Sequence, residues 1–510
     1  MPEAGTIAQL LEAGAAEASA VGAPEGAPPL HYRDLQSLAR RTVETLNGFG
    51  IGRNDRVAIV LPNGPEMATA FVCIAAGAAT APLNPSYRAE EFEFYLTDLK
   101  AKALVVETGS DSPARSVAGK LGVPVLELIT QRDRGAGTFS LAPVEPMSGS
   151  PARGGPGASD DTALLLHTSG TTSRPKLVPL LQRNVLASAR HIGATLSLTP
   201  ADVCLNIMPL FHIHGLIAAT LSSLAAGGQV CCSPGFNALK FFSWLDEVKP
   251  TWYTAVPTMH QAILARAERN QEIVARSRLR FIRSSSASLP PQVMSELEKT
   301  FRTPVIESYG MTEAAHQMAS NPLPPRPRKP GSVGLAAGPE VGIMDDAGSL
   351  LGRGATGEVV IRGPNVTPGY EANPDANAKA FTHGWFRTGD QGLLDEEGYL
   401  RLTGRLKELI NRGGEKISPL EVDEVLMDHP AVAQVVTFGM PHDKLGEEVA
   451  AAVVLREGKT ASDWELRDFC AARLADFKVP RKIVLLSEIP KGATGKLQRI
   501  GLAAKLGLGS

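Results

Sequence analysis

The sequence predicts an α/β protein: a large N-terminal domain of two βα-layered subdomains plus a small β subdomain, followed by a small α+β C-terminal domain. Three observations point there. Up to residue 308, short apolar runs alternate with stretches of helical length, the pattern of βαβ units around parallel sheets. From Gly331 the texture changes to short alternating segments split by the turn signals DDAG (345–348) and DEEG (395–398), as in an antiparallel unit. After Gly404 the two patterns mix in a compact tail.

In order, the first layer reads as helix 33–46, strand 57–61, helix 65–76, strand 80–83, helix 89–99 and strand 103–107. Residues 132–161, rich in Gly, Pro, Ser and Ala without periodicity, read as an exposed connector. The second layer begins with helix 182–195 and strand 204–208, which runs into PLFHIHG (209–215). Strands at 229–232, 252–255, 281–284 and 305–308 then alternate with helices such as 241–248 and 291–300. The tail holds helix 419–428, strands 432–439 and 448–455, helix 463–474 and strand 482–486. GRLKELINRGGEK (404–416) joins the halves with charge and paired glycines, suiting either a hinge or a surface turn.

A chain of 510 residues exceeds one ordinary core, and 43% hydrophobic with 20% charged residues is a globular composition. A net charge of -2 gives no electrostatic footprint for nucleic acid. The five cysteines lack metal spacing, and their odd number argues against a disulfide framework, so a reducing, cytoplasmic setting is expected. The first residues are acidic and lack the basic segment of a signal peptide, and the C-terminal Leu-Gly-Ser is not a peroxisomal address. The apolar runs near 68–82 and 215–228 fall short of the ~18 residues a bilayer crossing needs, so no membrane partner is expected.

The chemistry concentrates in TSGTTSRPK (168–176), set between apolar runs at 163–166 and 177–180. Three threonines, a Ser-Gly corner and a closing lysine describe a turn whose donors wrap a polyphosphate. The order is not that of a P-loop, and the same residue types also suit a Thr-rich hairpin turn.

Five further strings follow it: PLFHIHG, ESYGMTE (307–313), GWFRTGD (384–390), GRLKELINRGGEK and KGATGKLQR (491–499). In that order they resemble the adenylate-forming superfamily of acyl-CoA synthetases, 4-coumarate–CoA ligases, luciferases and peptide-synthetase adenylation domains. The resemblance runs end to end. It implies an adenylation domain at 1–404, a mobile domain at 405–510, and ATP, Mg²⁺ and coenzyme A as the groups handled. Carried over, Thr168, Ser169, Gly170, Thr171, Thr172 and Lys176 would hold the β- and γ-phosphates. Ser286, Ala287, Ser288, Glu307, Ser308, Tyr309, Gly310 and Met311 would surround the nucleotide, with Tyr309 stacked on adenine. Thr312 would contact the α-phosphate, Glu313 would carry Mg²⁺, and Asp390 would accept from the ribose hydroxyls with Arg405 close by. Lys496 would bridge the attacking carboxylate and the phosphate in the first half-reaction only. Rotation about Lys407 would then withdraw it and bring Gly413 and Gly414 up to the coenzyme A tunnel.

The acid itself is read from three pocket segments: His212-Ile213-His214, Ser284 to Ser288, and Ala314-Ala315-His316. The lining is polar, and a hydroxyl or imidazole buried without a partner costs about 1–3 kcal/mol. A small acid with a second charged group would satisfy it, with His214 and His316 as candidate cations, Ser286 as a donor, and His212 closing the site. TSGTTSRPK, SSSASLPP, YGMTEAAHQMASNPLP and LINRGGEKISPLEV further resemble the oxalate–CoA ligase branch, although Leu177 stands where that branch often has Gly. The expected reaction is oxalate, ATP and coenzyme A to oxalyl-CoA, AMP and pyrophosphate. Malonate, glyoxylate or an aryl acid, or loading of a carrier protein, are the alternatives, and the sequence leaves the oligomeric state open.

Overall fold

A computed structural model describes residues 5–26, 28–168, 175–491 and 497–508. Two sheets form the body. The first has seven strands, in spatial order Phe139–Pro143, Val125–Thr130, Ala103–Glu107, Arg56–Val60, Ala79–Pro82, Thr162–Thr168 and Lys176–Leu181. Its middle strands are parallel, and each outer strand pairs antiparallel. Ala, Val and Ile dominate the middle strands because both faces are covered by helices.

The second sheet has nine strands, in the order Leu335–Ala336, His316–Ser320, Val305–Met311, Phe281–Ser284, Trp252–Ala255, Val203–Asn206, Gln229–Cys232, Ser19–Gly22 and Leu30–His31. The chain goes from Val203–Asn206 to one neighbour, Gln229–Cys232, and then to the other, Trp252–Ala255. This strand-order reversal is the point at which open α/β sheets bind ligands, at the carboxyl ends of the strands. PLFHIHG leaves Asn206 there, SSSAS leaves Phe281–Ser284, and YGMTE continues out of Val305.

The third sheet is the expected antiparallel unit, built on Glu340–Met344, Gly357–Arg362, Trp385–Leu394 and Leu400–Arg405. The C-terminal domain is a five-stranded sheet centred on the long hairpin Val432–His442 and Gly446–Leu455, with helices Pro419–Met427 and Asp463–Ala471. Both helices begin at a serine that accepts the N3 amide, Ser418 from Glu421 and Ser462 from Glu465. The domain rests on the body through the Gln261 side-chain amide, which donates to the Ala433 carbonyl at 2.8 Å, and through Gln292 and Asp428.

Two features depart from expectation. Residues 132–161 are not all connector: Phe139–Pro143 adds an edge strand, where a terminal proline is tolerated because no ladder bond is lost. Residues 214–221 form a wide π-helical segment, His214–Leu221, wholly buried. Such turns are uncommon and concentrate at functional sites. Among the described residues no helix is long and apolar enough to cross a membrane.

Candidate active site

Thr168 stands directly opposite Lys176 at the mouth of the antiparallel pair Thr162–Thr168 and Lys176–Leu181. The ends of the threonine-rich loop are therefore held together. Ser169, Gly170, Thr171 and Thr172 lie outside the described residues, as does Lys496.

The Lys176 ammonium sits over the Tyr370 ring, 4.3 Å from its centre. The Tyr370 hydroxyl donates to Glu313 Oε1 at 2.9 Å. Glu313 occupies the single turn Thr312–Ala314 that ends ESYGMTE, with Thr312 half-buried at its start. Burial pushes the Glu313 carboxyl up; its own N–H, the Tyr370 bond and the charges of Lys176 and Arg405 pull it back.

Asp390 is placed by a strand register. It lies directly opposite Arg405 across the pair Trp385–Leu394 and Leu400–Arg405, and Arg405 Nε donates to Asp390 Oδ1 at 3.2 Å. The Tyr309 hydroxyl donates to Oδ2. Burial raises the Asp390 carboxyl, with Arg405 and Tyr309 opposing. The Arg405 charge thus acts on both Asp390 and Glu313.

Around them, Ser308 is buried and its hydroxyl donates to the Ser284 carbonyl, while Met311 is half-buried. Gly310 is required by packing, because a Cβ there would stand 2.0 Å from the His316 carbonyl. Ala287 and Ser288 are exposed. Glu307 is buried; Oε1 accepts the Leu289 N–H at 2.8 Å and Oε2 has no partner among the described residues. Burial pushes this carboxyl up to about 8. A carboxyl so raised binds its proton more tightly in the folded chain than in the unfolded one. Its contribution is complete below about pH 4.5 and is lost as pH rises to about 8. Glu307→Gln should therefore lose less melting temperature between pH 5 and pH 8 than the parent, as thermal melts at both pH values will show.

The acyl-pocket segments gather round a residue that the sequence reading missed. Arg283, in the centre of the four-residue strand Phe281–Ser284, is completely buried. Its two terminal nitrogens face His214 Nε2 at 3.4 Å, Thr254 Oγ1 at 3.4 Å, His316 Nδ1 at 3.5 Å and Gln317 Oε1 at 3.3 Å. Its Nε has no partner among the described residues. Among the described residues none of its partners is a carboxylate. Burial pulls the guanidinium down only to about 9, so it remains a cation at neutral pH. The available signal was a charged residue directly after Phe281-Ile282 in a predicted buried strand.

His214 is the first residue of the π-helical segment. Its Nδ1 lies 3.0 Å from Ser286 Oγ and its Nε2 2.6 Å from Thr254 Oγ1. With a guanidinium facing Nε2, the favoured form carries its proton on Nδ1 and donates to Ser286. The His316 ring is 5.0 Å from that of His214. Ser286, Ala315 and His316 all adopt positive φ, at 74°, 48° and 102°. Left-handed backbone at non-glycine residues is strained and clusters at ligand sites. His212 is half-buried, and its Nδ1 accepts the His214 N–H at 3.3 Å. Asn63, from the other sheet, accepts the Leu210 N–H at 2.7 Å and so fixes the PLFHIHG backbone.

Lys407 is exposed where the chain leaves Leu400–Arg405. Gly413 and Gly414, at φ 60° and 98°, form the tip of the hairpin Ile410–Arg412 and Glu415–Ile417, a turn that only such residues make without strain.

A βα body with a second small domain, a lysine and a glutamate on either side of one tyrosine, and an aspartate paired with an arginine suits an enzyme that activates a substrate with a nucleotide. The chain belongs to the AMP-binding enzyme family, which matches residues 15–371, while the AMP-binding enzyme C-terminal domain matches residues 421–496. It is an ATP-dependent CoA ligase, an acid–thiol ligase of the AMP-forming kind. It is 47% identical to a probable CoA ligase of Humulus lupulus over 97% of this chain and 95% of that one. It is also 47% identical to an oxalate–CoA ligase of Arabidopsis thaliana, covering 92% of each chain. ATP-bound MatB from Rhodopseudomonas palustris superposes with a TM-score of 0.87 at 29% identity over 98% of both chains.

Proposed function

We propose that the acid is a short dicarboxylate, oxalate before others. The observation that supports this is Arg283, a buried cation whose neighbours are imidazoles, a threonine and an amide. An unpaired buried charge is costly, whereas a second carboxylate on the substrate supplies the missing anion. Arg283 therefore takes the charge role that the sequence suggested for His214 and His316. Their imidazoles face its terminal nitrogens and orient it, and Ser286 donates to the substrate. A long apolar or aryl acid would leave the guanidinium unpaired. The oxalate–CoA ligases among the relatives add independent support.

The proposed chemistry runs in two steps. One carboxylate oxygen attacks the α-phosphorus of ATP, pyrophosphate leaves, and the acyl-AMP forms. Thiolate attack on the acyl carbon then gives the thioester and releases AMP. The first step sets one anion against another, so cationic and hydroxyl donors fixed in advance lower its barrier most. Lys176 and the loop at 168–172 hold the β- and γ-phosphates, Thr312 the α-phosphate, Asp390 the ribose hydroxyls, and Tyr309 stacks on adenine. Glu313 fits Mg²⁺: it is a hard oxygen donor, no cluster of three or more metal-binding side chains occurs among the described residues, and Mg²⁺ commonly binds through one carboxylate plus phosphate oxygens. When bound, the ion would neutralise phosphate charge. The boundary between residues 404 and 405, with Lys407 as pivot and Gly413 and Gly414 at the coenzyme A path, completes the reading.

A panel of acids in an AMP-release assay tests it. Oxalate is expected to give the highest kcat/KM, with malonate and glyoxylate behind. Equal turnover of acetate, coumarate or a fatty acid would remove the dicarboxylate assignment.

A further inference from the structure

Lys176 and Glu313 carry opposite charges, yet they form no ion pair. Tyr370 stands between them: its ring lies beneath the ammonium at 4.3 Å and its hydroxyl is bonded to the carboxylate at 2.9 Å. The tyrosine is itself rigidly held. Asn377 clamps its main chain on both sides, accepting the Tyr370 N–H at 2.7 Å and donating to the Tyr370 carbonyl at 2.8 Å. The next residue, Glu371, donates its N–H to the Leu177 carbonyl at 3.0 Å, and its carboxylate pairs with Arg56. Three residues earlier, Thr367 donates its N–H to the Glu313 carbonyl at 2.7 Å and its hydroxyl to the Pro179 carbonyl at 2.7 Å. Residues 367–371 thus fasten the strand that bears Lys176 to the turn that bears Glu313.

We infer that Tyr370 is a positioning residue, which keeps Lys176 and Glu313 apart and aimed at different parts of the magnesium nucleotide. Without it, the shortest route to neutrality for a buried carboxylate and a neighbouring ammonium is to bond each other. That contact would withdraw the ammonium from phosphate and the carboxylate from metal. The aromatic face holds a cation without supplying a competing anion, and the phenol fixes one carboxylate oxygen through a neutral donor. The inference rests on the reading of Glu313 as the metal-side ligand. It concerns the adenylation half-reaction alone, because thioester formation from a ready acyl-AMP handles no pyrophosphate.

The test uses the full-length enzyme and Mn²⁺ as probe, with bound metal measured by electron paramagnetic resonance in the presence of the α,β-methylene analogue of ATP. Tyr370→Phe keeps the ring and removes only the hydroxyl. It should weaken Mn²⁺ about tenfold to a hundredfold, the usual effect of losing a group that orients a metal ligand. Tyr370→Ala should weaken it further. Both variants should make thioester from supplied acyl-AMP and coenzyme A at the parent rate, and thermal melts will identify any variant that fails to fold. Parent-like Mn²⁺ binding by Tyr370→Phe, or equal loss in both half-reactions, would overturn the inference. Glu313→Gln separates the layers. If it loses Mn²⁺ while Tyr370→Phe does not, only the role of Tyr370 fails; if it binds Mn²⁺ normally, the metal reading fails and this inference with it.

Discussion

Arg283→Met is expected to lower kcat/KM for oxalate by about two to three orders of magnitude while leaving the folded protein at least as stable. The two effects have one cause. Removing one partner of a buried charged contact costs about 3–5 kcal/mol, and every 1.4 kcal/mol is about tenfold. Here the partner is the substrate, so the loss appears in turnover of the dicarboxylate and not in folding. The free protein carries a fully buried guanidinium with, among the described residues, Nε unsatisfied and no carboxylate beside it, and an apolar side chain of similar length relieves that burden. Arg283→Lys should fall between, since it keeps a charge but loses the planar fork. The KM for ATP should stay within about twofold, because Lys176, Glu313 and Asp390 stand on other elements. AMP release with oxalate and with a monocarboxylate, alongside thermal melts, provides the check. Parent-like oxalate turnover by Arg283→Met would remove the basis for the dicarboxylate reading.

Arg283 also shows where sequence reading stops. Strand Phe281–Ser284 and its neighbours were legible because short segments between stretches of helical length have few alternatives. Asp390 and Glu313 were legible as members of strings. The partners of Arg283 were not, because His214, Thr254, His316 and Gln317 come from four separate segments that only the sheet order brings together. Tyr370 was missed for a similar reason: its bond to Glu313 spans 57 positions. The π-helical turn at His214 was hidden by an unbroken apolar run that fits any buried helix, and the edge strand Phe139–Pro143 by glycines and prolines that usually mark loops. What sequence pattern encodes is periodicity and local strings; charge balance inside a pocket is a property of the assembled sheet.

Lys496→Ala is expected to abolish acyl-AMP formation, by a factor of about a thousand or more, and to leave thioester formation from supplied oxalyl-AMP near the parent rate. Lys496 lies outside the described residues, but the chain on either side of 492–496 is firmly tied to the small domain. Lys491 and Leu497 face each other in an antiparallel bridge, and Gln498 donates its N–H to the Pro490 carbonyl at 3.1 Å. Arg499, half-buried, bonds Asp423 at 2.9 Å on helix Pro419–Met427 and Glu408 at 3.2 Å, one residue beyond the proposed pivot. Under the two-step reading a lysine so tethered travels with the small domain. It meets the phosphorus only in one orientation and is remote in the other. A single charge bridging attacking and leaving groups, with water excluded, is worth about 3–4 kcal/mol or more to the step it serves and nothing to a step it does not attend. Acetylation at the same position, which deletes the charge, should reproduce the alanine phenotype. Pyrophosphate exchange reads the first half-reaction and thioester yield from synthetic oxalyl-AMP the second. Equal loss in both, or survival of both, would mean that Lys496 does not divide the cycle and that the alternation of domains about Lys407 has to be abandoned.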